Sequence, residues 1–127
     1  MLALGAIERP NHGEVLLPDG IVYPIKWAVV NHTTTGTFQV VAAVASRKIR
    51  VVAVDLVALA NCDLDWRSGT STIVINSQPL GVRVHYHRNY LPFGWFMETA
   101  VGQSLNINQV QATATNIRGA VLYIEVP

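Results

Sequence analysis

The sequence predicts an all-β chain: a single-domain β-sandwich of the jelly-roll kind, with about eight short antiparallel strands behind an extended N-terminal arm. Three observations predict it. Runs of β-branched and aromatic residues recur at spacings of about 8–15 residues. Within them apolar and polar residues alternate with period two, and turn formers such as Thr33–Gly36, Ser68–Gly69 and Gln78–Pro79 separate them. No stretch carries a convincing amphipathic helix.

Residues 1–20 read as the arm and 21–127 as the sandwich. Two breaker clusters, Pro10–Gly13 and Pro18–Gly20, set the arm apart. Its Leu2, Leu4, Ile7, Leu16 and Leu17 are too apolar to rest in water, so they are candidate contacts with a neighbouring subunit, dispensable for the fold. Ile21, Tyr23, Ile25, Trp27 and Val29 share one face by period two, and Pro24 marks that stretch as an edge strand or a bulge. Phe38 to Ala45 is a second strand, and Ser46–Arg47 its turn. The third begins half exposed, with Lys48 and Arg50 alternating with Ile49 and Val51, then becomes apolar on both faces from Val52 to Ala60. AVDLVALA could also be a short buried helix, but Val51, Val52, Val54 and Val57 favour a strand. Asp63–Arg67 and Ser71–Asn76 are short strands. Val82, Val84 and Tyr86 face one way and Arg83, His85 and His87 the other. Leu91–Gly94 is a turn region, Leu105 and Ile107 alternate with Ser104, Asn106 and Asn108, and Ile117–Val126 closes the domain.

Composition bounds the function. A chain of 127 residues suits one domain, which buries roughly two thirds of its unfolded surface without staples. Half the residues are apolar and 13% are charged, against about 25% in ordinary globular chains, which implies a surface that meets other protein. The formal charge is +1 with no basic block, so no nucleic-acid partner is expected. The single cysteine, Cys62, excludes a disulfide framework and has no neighbouring cation to stabilise a thiolate. The apolar start meets Glu8 and Arg9 too early for a secretory signal, and no apolar run reaches the roughly 20 residues that span a bilayer. The expectation is a soluble product made in the cytoplasm, with no membrane partner.

No residue pattern assembles a catalytic, cofactor or metal site, and the chain is not expected to be an enzyme. His85 and His87 could share a face and an ion, as in the cupin pattern, but the glutamate position holds Leu91 or Pro92 and no histidine follows. Asp63 and Asp65 also share a face, without a calcium loop or a third acid, and read as a solvated face with Asp65 available to Arg67 or Arg83. Trp27 and Trp95 sit within apolar runs and read as core or subunit contacts. Trp66, flanked by Asp65 and Arg67, is the candidate interaction residue among the tryptophans.

Two segments carry a likeness. VVAAVASRKIRVVAVDLVALANCDLDWRSGTSTI (residues 40–73) followed by PFGWFMETAVGQSLNINQ (residues 92–109) and AVLYIEV (residues 120–126) resembles small virion structural proteins of tailed bacteriophages. There a KIRV strand, an SGST turn and a GWFET segment ending in LN.N recur in this order, and the likeness covers roughly residues 36–126. It implies a virion component assembled in the host cytoplasm. The preferred role is a head decoration or cement protein, a small jelly roll over joints between major capsid subunits. A homo-oligomer is expected from the two-faced apolarity of Val52–Ala60 and Ala120–Val126, with a trimer favoured over a dimer on the resemblance alone. The alternatives are a neck, tail or fibre-associated protein, a carbohydrate-binding module and, more remotely, a cupin-like metalloenzyme.

Overall fold

The computed structural model describes residues 13–110 and 115–127. They form eleven strands and no helix: β1 (Glu14–Leu16), β2 (Val22–Pro24), β3 (Lys26–His32), β4 (Gly36–Val41), β5 (Lys48–Ala58), β6 (Cys62–Ser68), β7 (Thr72–Leu80), β8 (Tyr86–Asn89), β9 (Met97–Glu98), β10 (Leu105–Gln109) and β11 (Ile117–Val126). One sheet runs β3-β11-β5-β8, with β9 also pairing β5, and the other runs β4-β10-β6-β7. Every strand pair is antiparallel. The chain is therefore an all-β sandwich, and consecutive strands cross repeatedly between its two sheets.

The alternation in the sequence explains most of the core. Cys62, Leu64 and Trp66 on β6 meet Leu105 and Ile107 on β10, and across the gap they meet Ile49, Val51, Val54 and Leu56 on β5 with Ile117 and Val121 on β11. β5 is a strand throughout, which settles AVDLVALA against the helix: its β-branched side chains pack on a pleated surface with one partner strand on each side. Its register shifts where Leu122 pairs Ala53 and Tyr123 pairs Val51, leaving Val52 as the extra residue of a bulge. That insertion switches parity. Ile49 and Val51 face the core before it and Val54, Leu56 and Ala58 after it, while Val52 points to the opposite side.

On that opposite side lies a second, smaller core. β1 and β2 form a hairpin, with Val15 opposite Tyr23, and these two buried residues pack on Val52, Ile124 and Val126 with Leu17, Ile25, Leu91 and Leu122 around them. The turn is held by Asp19, whose carboxylate accepts from the Ile21 N–H at 2.8 Å and from the Tyr23 hydroxyl at 2.8 Å. Gly20 turns with φ +81°, where a side chain would be strained. This corrects the reading of residues 1–20 as an arm separable from the domain. Residues 13–20 belong to the fold: Leu16 and Leu17 lie half-buried in or beside the hairpin, which covers this chain's own sheet. Leu2, Leu4 and Ile7 lie outside the described residues. The two-faced apolarity of β5 is likewise spent in part within the chain, under this hairpin.

The face shared by Tyr23, Ile25, Trp27 and Val29 is the outer side of the sheet: residues 22–24 pair with β1 and 26–32 with β11, and Trp27 lies opposite Leu122, which packs on the hairpin core with Tyr23 and Ile25. Val30 enters the core and Trp27 is left 70% exposed on the outer side of the sheet.

Gly119 tests the tightness of the β5–β11 ladder. Its φ is +147°, and a Cβ there would collide with the Asp55 carbonyl. Backbone strain and overpacking together predict that Gly119→Ala destabilises the protein by about 2–4 kcal/mol, read as a lowered guanidinium midpoint at unchanged slope.

Candidate interaction surface

The segment between β8 and β9 is short, apolar and held at several points. Asn89 Oδ1 accepts from the Leu91 N–H at 3.0 Å, and the Gly94 N–H donates to the Tyr90 carbonyl at 2.8 Å. The N–H groups of Tyr90 and Phe96 donate to Val52 and Val51 of β5 at 3.0 and 2.7 Å. Phe96 turns inward, with its ring 5.0 Å from Trp66 and 6.3 Å from Tyr86 in edge-on geometry. Trp95 turns outward and stands on the Arg50 guanidinium at 4.0 Å, and Glu98 holds that guanidinium by a 2.6 Å bond from Nε. Lys48 reaches the other oxygen of Glu98 at 3.4 Å. Between these anchors Phe93 projects, 91% exposed, with Trp95 and Tyr90 partly exposed beside it. Fixed aromatic rings lose little entropy on binding, and such residues dominate interface energies.

A cleft of about 500 Å³ lies across the same sheet. Ile21, Val22 and Pro24 of the hairpin segment form one wall and Val44 and Ala45 another, while the Lys26–Glu125 ion pair at 2.9 Å and Arg47 line it as well.

The remaining outer face of the β3-β11-β5-β8 sheet exposes Trp27 and Val29. Across the sandwich, the outer face of the β4-β10-β6-β7 sheet carries a polar network, with Ile73 exposed at its β7 edge. Thr37 bonds Asn108 at 3.2 Å, Arg67 bonds Thr37 at 3.3 Å, and Asp65 accepts from the Ser77 N–H at 2.9 Å and faces Arg67 at 3.5 Å. Asp65 is buried, so the reading of a solvated carboxylate is corrected: Ser77 of the neighbouring strand encloses it, and its cation is Arg67.

Trp66, proposed from sequence as an interaction residue, is fully buried in the core, and it can neither stack on a sugar nor touch a partner. Its parity with Cys62 and Leu64 places it there; the flanking charges point the other way. The carbohydrate reading thereby loses the platform assigned to it. His85 bonds Asp55 through Nδ1 at 2.9 Å in the open, and His87 pairs with Asp55 in the strand register. Among the described residues no three His, Cys, Asp or Glu side chains converge as metal ligands would. Burial, and then Asp63, push the Cys62 thiol above its ordinary range and keep it protonated at neutral pH. The projecting Phe93 and the cleft were not read from sequence. The available signal was an aromatic residue set between Pro92 and Gly94, where no strand face exists to bury it.

No protein-family model, no curated protein and no solved structure matches the chain. The likeness to virion proteins rests on its motifs alone.

Two outcomes follow from the interior. Trp66→Ala should cost about 3–5 kcal/mol of stability, as for other buried aromatic truncations, measured by denaturant unfolding. His32, stacked on Phe38 at 3.6 Å, has its pKa lowered by burial, against a smaller opposing contact with Thr34. The unfolded chain, with its imidazole near about 6.5, then binds a proton more readily than the folded one. That contribution to stability is present above the unfolded pKa and is lost as pH falls through it towards the folded value. Melting temperatures between pH 8 and 5 should fall less steeply for His32→Gln than for the wild type.

Proposed function

We propose that this chain is a structural protein of a tailed-bacteriophage virion. The preferred role is head decoration or cement, binding across joints between major capsid subunits and stabilising the shell. We read the strand order as a jelly roll: leaving out the β1–β2 hairpin and the short β9, the first, last, third and sixth strands share one sheet and the second, seventh, fourth and fifth the other. The observation that carries the reading is the asymmetry of the sandwich. One side exposes Trp27, Val29, Phe93 and Trp95, while the other carries a hydrogen-bonded polar network through Thr37, Asn108, Asp65 and Arg67, with Ile73 exposed beside it. Such a body suits lying with one side against protein. Its work is binding, without turnover: each buried apolar side chain contributes about 1.5–3 kcal/mol, and contacts to several subunits at once multiply the hold. The partner is the major capsid protein or another virion protein, and the working form is a homo-oligomer, with a trimer favoured over a dimer.

The test is a mass-spectrometric count on purified particles, with binding to capsids that lack the protein. Copies in proportion to capsid subunits support decoration, a small fixed number indicates neck or tail, and absence from particles overturns the reading. Trp27→Ser should weaken capsid binding about tenfold or more while leaving the melting temperature within a degree or two, as expected for an exposed interface aromatic.

A further inference from the structure

We propose that the cleft between the β1–β2 hairpin and Val44 is the seat of this chain's own residues 2–7. They lie as an extended strand along the free edge of β2, with Leu2 and Leu4 against the apolar lining. The contact is made within one chain, so it goes beyond the virion reading and is tested on the isolated protein.

The edge itself calls for a strand. Leu17 donates to the Ile21 carbonyl and Ile25 to the Gly13 carbonyl, and Val15 stands opposite Tyr23 midway between these bonds. Main-chain groups of an antiparallel strand alternate between its two edges, so Tyr23 turns its N–H and C=O to β1 while Val22 and Pro24 turn theirs away. Val22 and Pro24 also line the cleft, which places their free edge there. Among the described residues β2 pairs with β1 alone, and the Val22 N–H and C=O meet no strand. Extended peptides bind such edges through main-chain bonds, with alternate side chains in the flanking pockets.

The walls select the side chains. Ile21 is 51% and Val22 40% exposed, and with Val44 and Ala45 they line a cleft of about 500 Å³. Of the charged lining residues, Lys26 and Glu125 neutralise each other at 2.9 Å, and Arg47 is exposed. An occupant with apolar side chains at every second position suits this lining. In an extended segment Leu2, Leu4 and Ala6 share one side.

The tether decides whose segment it is. Gly13 is bonded to Ile25, beside Pro24 of the lining, so residues 8–12 are all that separates the apolar stretch from the hairpin. A connection of that length spans up to about 17 Å, while passing from β1 across β2 to its far edge takes two strand spacings, about 10 Å. Its length is also an ordinary one for a connection, and Pro10–Gly13 supplies the breakers that a reversal needs. So short a tether holds the segment near the cleft at an effective concentration of about millimolar, which a second copy in micromolar solution does not reach.

Amide hydrogen exchange of the full chain, followed residue by residue by NMR, tests the contact at Val22. In the wild type the Val22 amide should exchange about tenfold or more slower than an open peptide group. Leu4→Asp, which sets a carboxylate against the apolar walls, should return it to the open rate, and Leu4→Met should keep the protection. The Leu17 amide, held by the Ile21 carbonyl at 3.1 Å, should stay protected throughout and shows that the hairpin is formed in each variant. A wild-type Val22 amide at the open rate, or protection that survives Leu4→Asp, would overturn the proposal. Protection at Leu16 on the edge of β1 in place of Val22 would do the same. So would protection that falls on dilution, which would mark the occupant as the segment of a second copy.

Discussion

The β5–β11 ladder is the constraint on which the rest depends. It runs from Ile117 opposite Ala58 to Val126 opposite Lys48 and lies between the sandwich core on one side and the hairpin core on the other. Where the hairpin covers it, through Val52, Leu122, Ile124 and Val126, the ladder is apolar on both sides; beyond it Asp55 and Arg118 face solvent. A continuous ladder would still give each side every second residue of β5, and the bulge at Val52 breaks that rule. It sends Val52 outward beneath Val15 and Tyr23 while Val51 and Val54 both face the core. The hairpin has a floor to pack on because of this insertion, and Tyr90 and Phe96 donate to the carbonyls of Val52 and Val51, the residues at the bulge. The second core and the aromatic loop thus depend on the same irregularity.

How far the sequence discloses this varies by element. The strand content, the turns at Ser68–Gly69 and Pro18–Gly20, and the inward set Cys62, Leu64 and Trp66 are legible from period-two alternation. The bulge is not, because Val51, Val52 and Val54 are chemically alike and either parity satisfies the pattern. The three tryptophans show the two ways that pattern misleads. Trp66 sits between Asp65 and Arg67 and invites a surface reading, yet neighbours on a strand point to opposite faces, so their charge says nothing of its own surroundings. Trp27 keeps the side of Tyr23 and Ile25, as its pairing with Leu122 shows, but that side is the outer one and the hairpin leaves it uncovered there. Trp95 belongs to no strand and is placed by a cation, Arg50, forty-five positions earlier in the chain. Long-range contacts decide Trp27 and Trp95, while parity alone places Trp66.

Aromatic residues do two opposed jobs within one stretch of the chain. Phe96 closes the core against Trp66 and Tyr86, and by doing so fixes the backbone from which Phe93 projects. A mobile loop would tend to fold such a ring back onto its own surface, since burying a phenylalanine is worth about 1.5–3 kcal/mol. Here the main-chain bonds of Tyr90, Gly94 and Phe96 are already taken, and the tip has no path inward. The exposure of Phe93 is therefore imposed by the anchoring of its neighbours, and binding a partner recovers burial that the fold itself denies.

The same reasoning separates the two sides of the sandwich. On the β4-β10-β6-β7 side, Asp65 finds Ser77 and Arg67, Asn106 donates to the Gly69 carbonyl at 2.7 Å, and Gln109 bonds Thr34 and Thr115 at 3.1 Å. Asp65, Asn106 and Gln109 are thus bonded within the chain, although Arg67 Nε is buried without a partner, and a group arriving there would displace good bonds to make new ones. On the other side rings and branched aliphatics, Trp27, Val29 and Phe93, stand exposed among ion pairs such as Lys26–Glu125 and Arg50–Glu98. Desolvating the rings and aliphatics costs little and returns free energy in proportion to area. The side on which Trp27, Val29 and Phe93 stand exposed gains more from a partner than the side whose Asp65, Asn106 and Gln109 are already bonded.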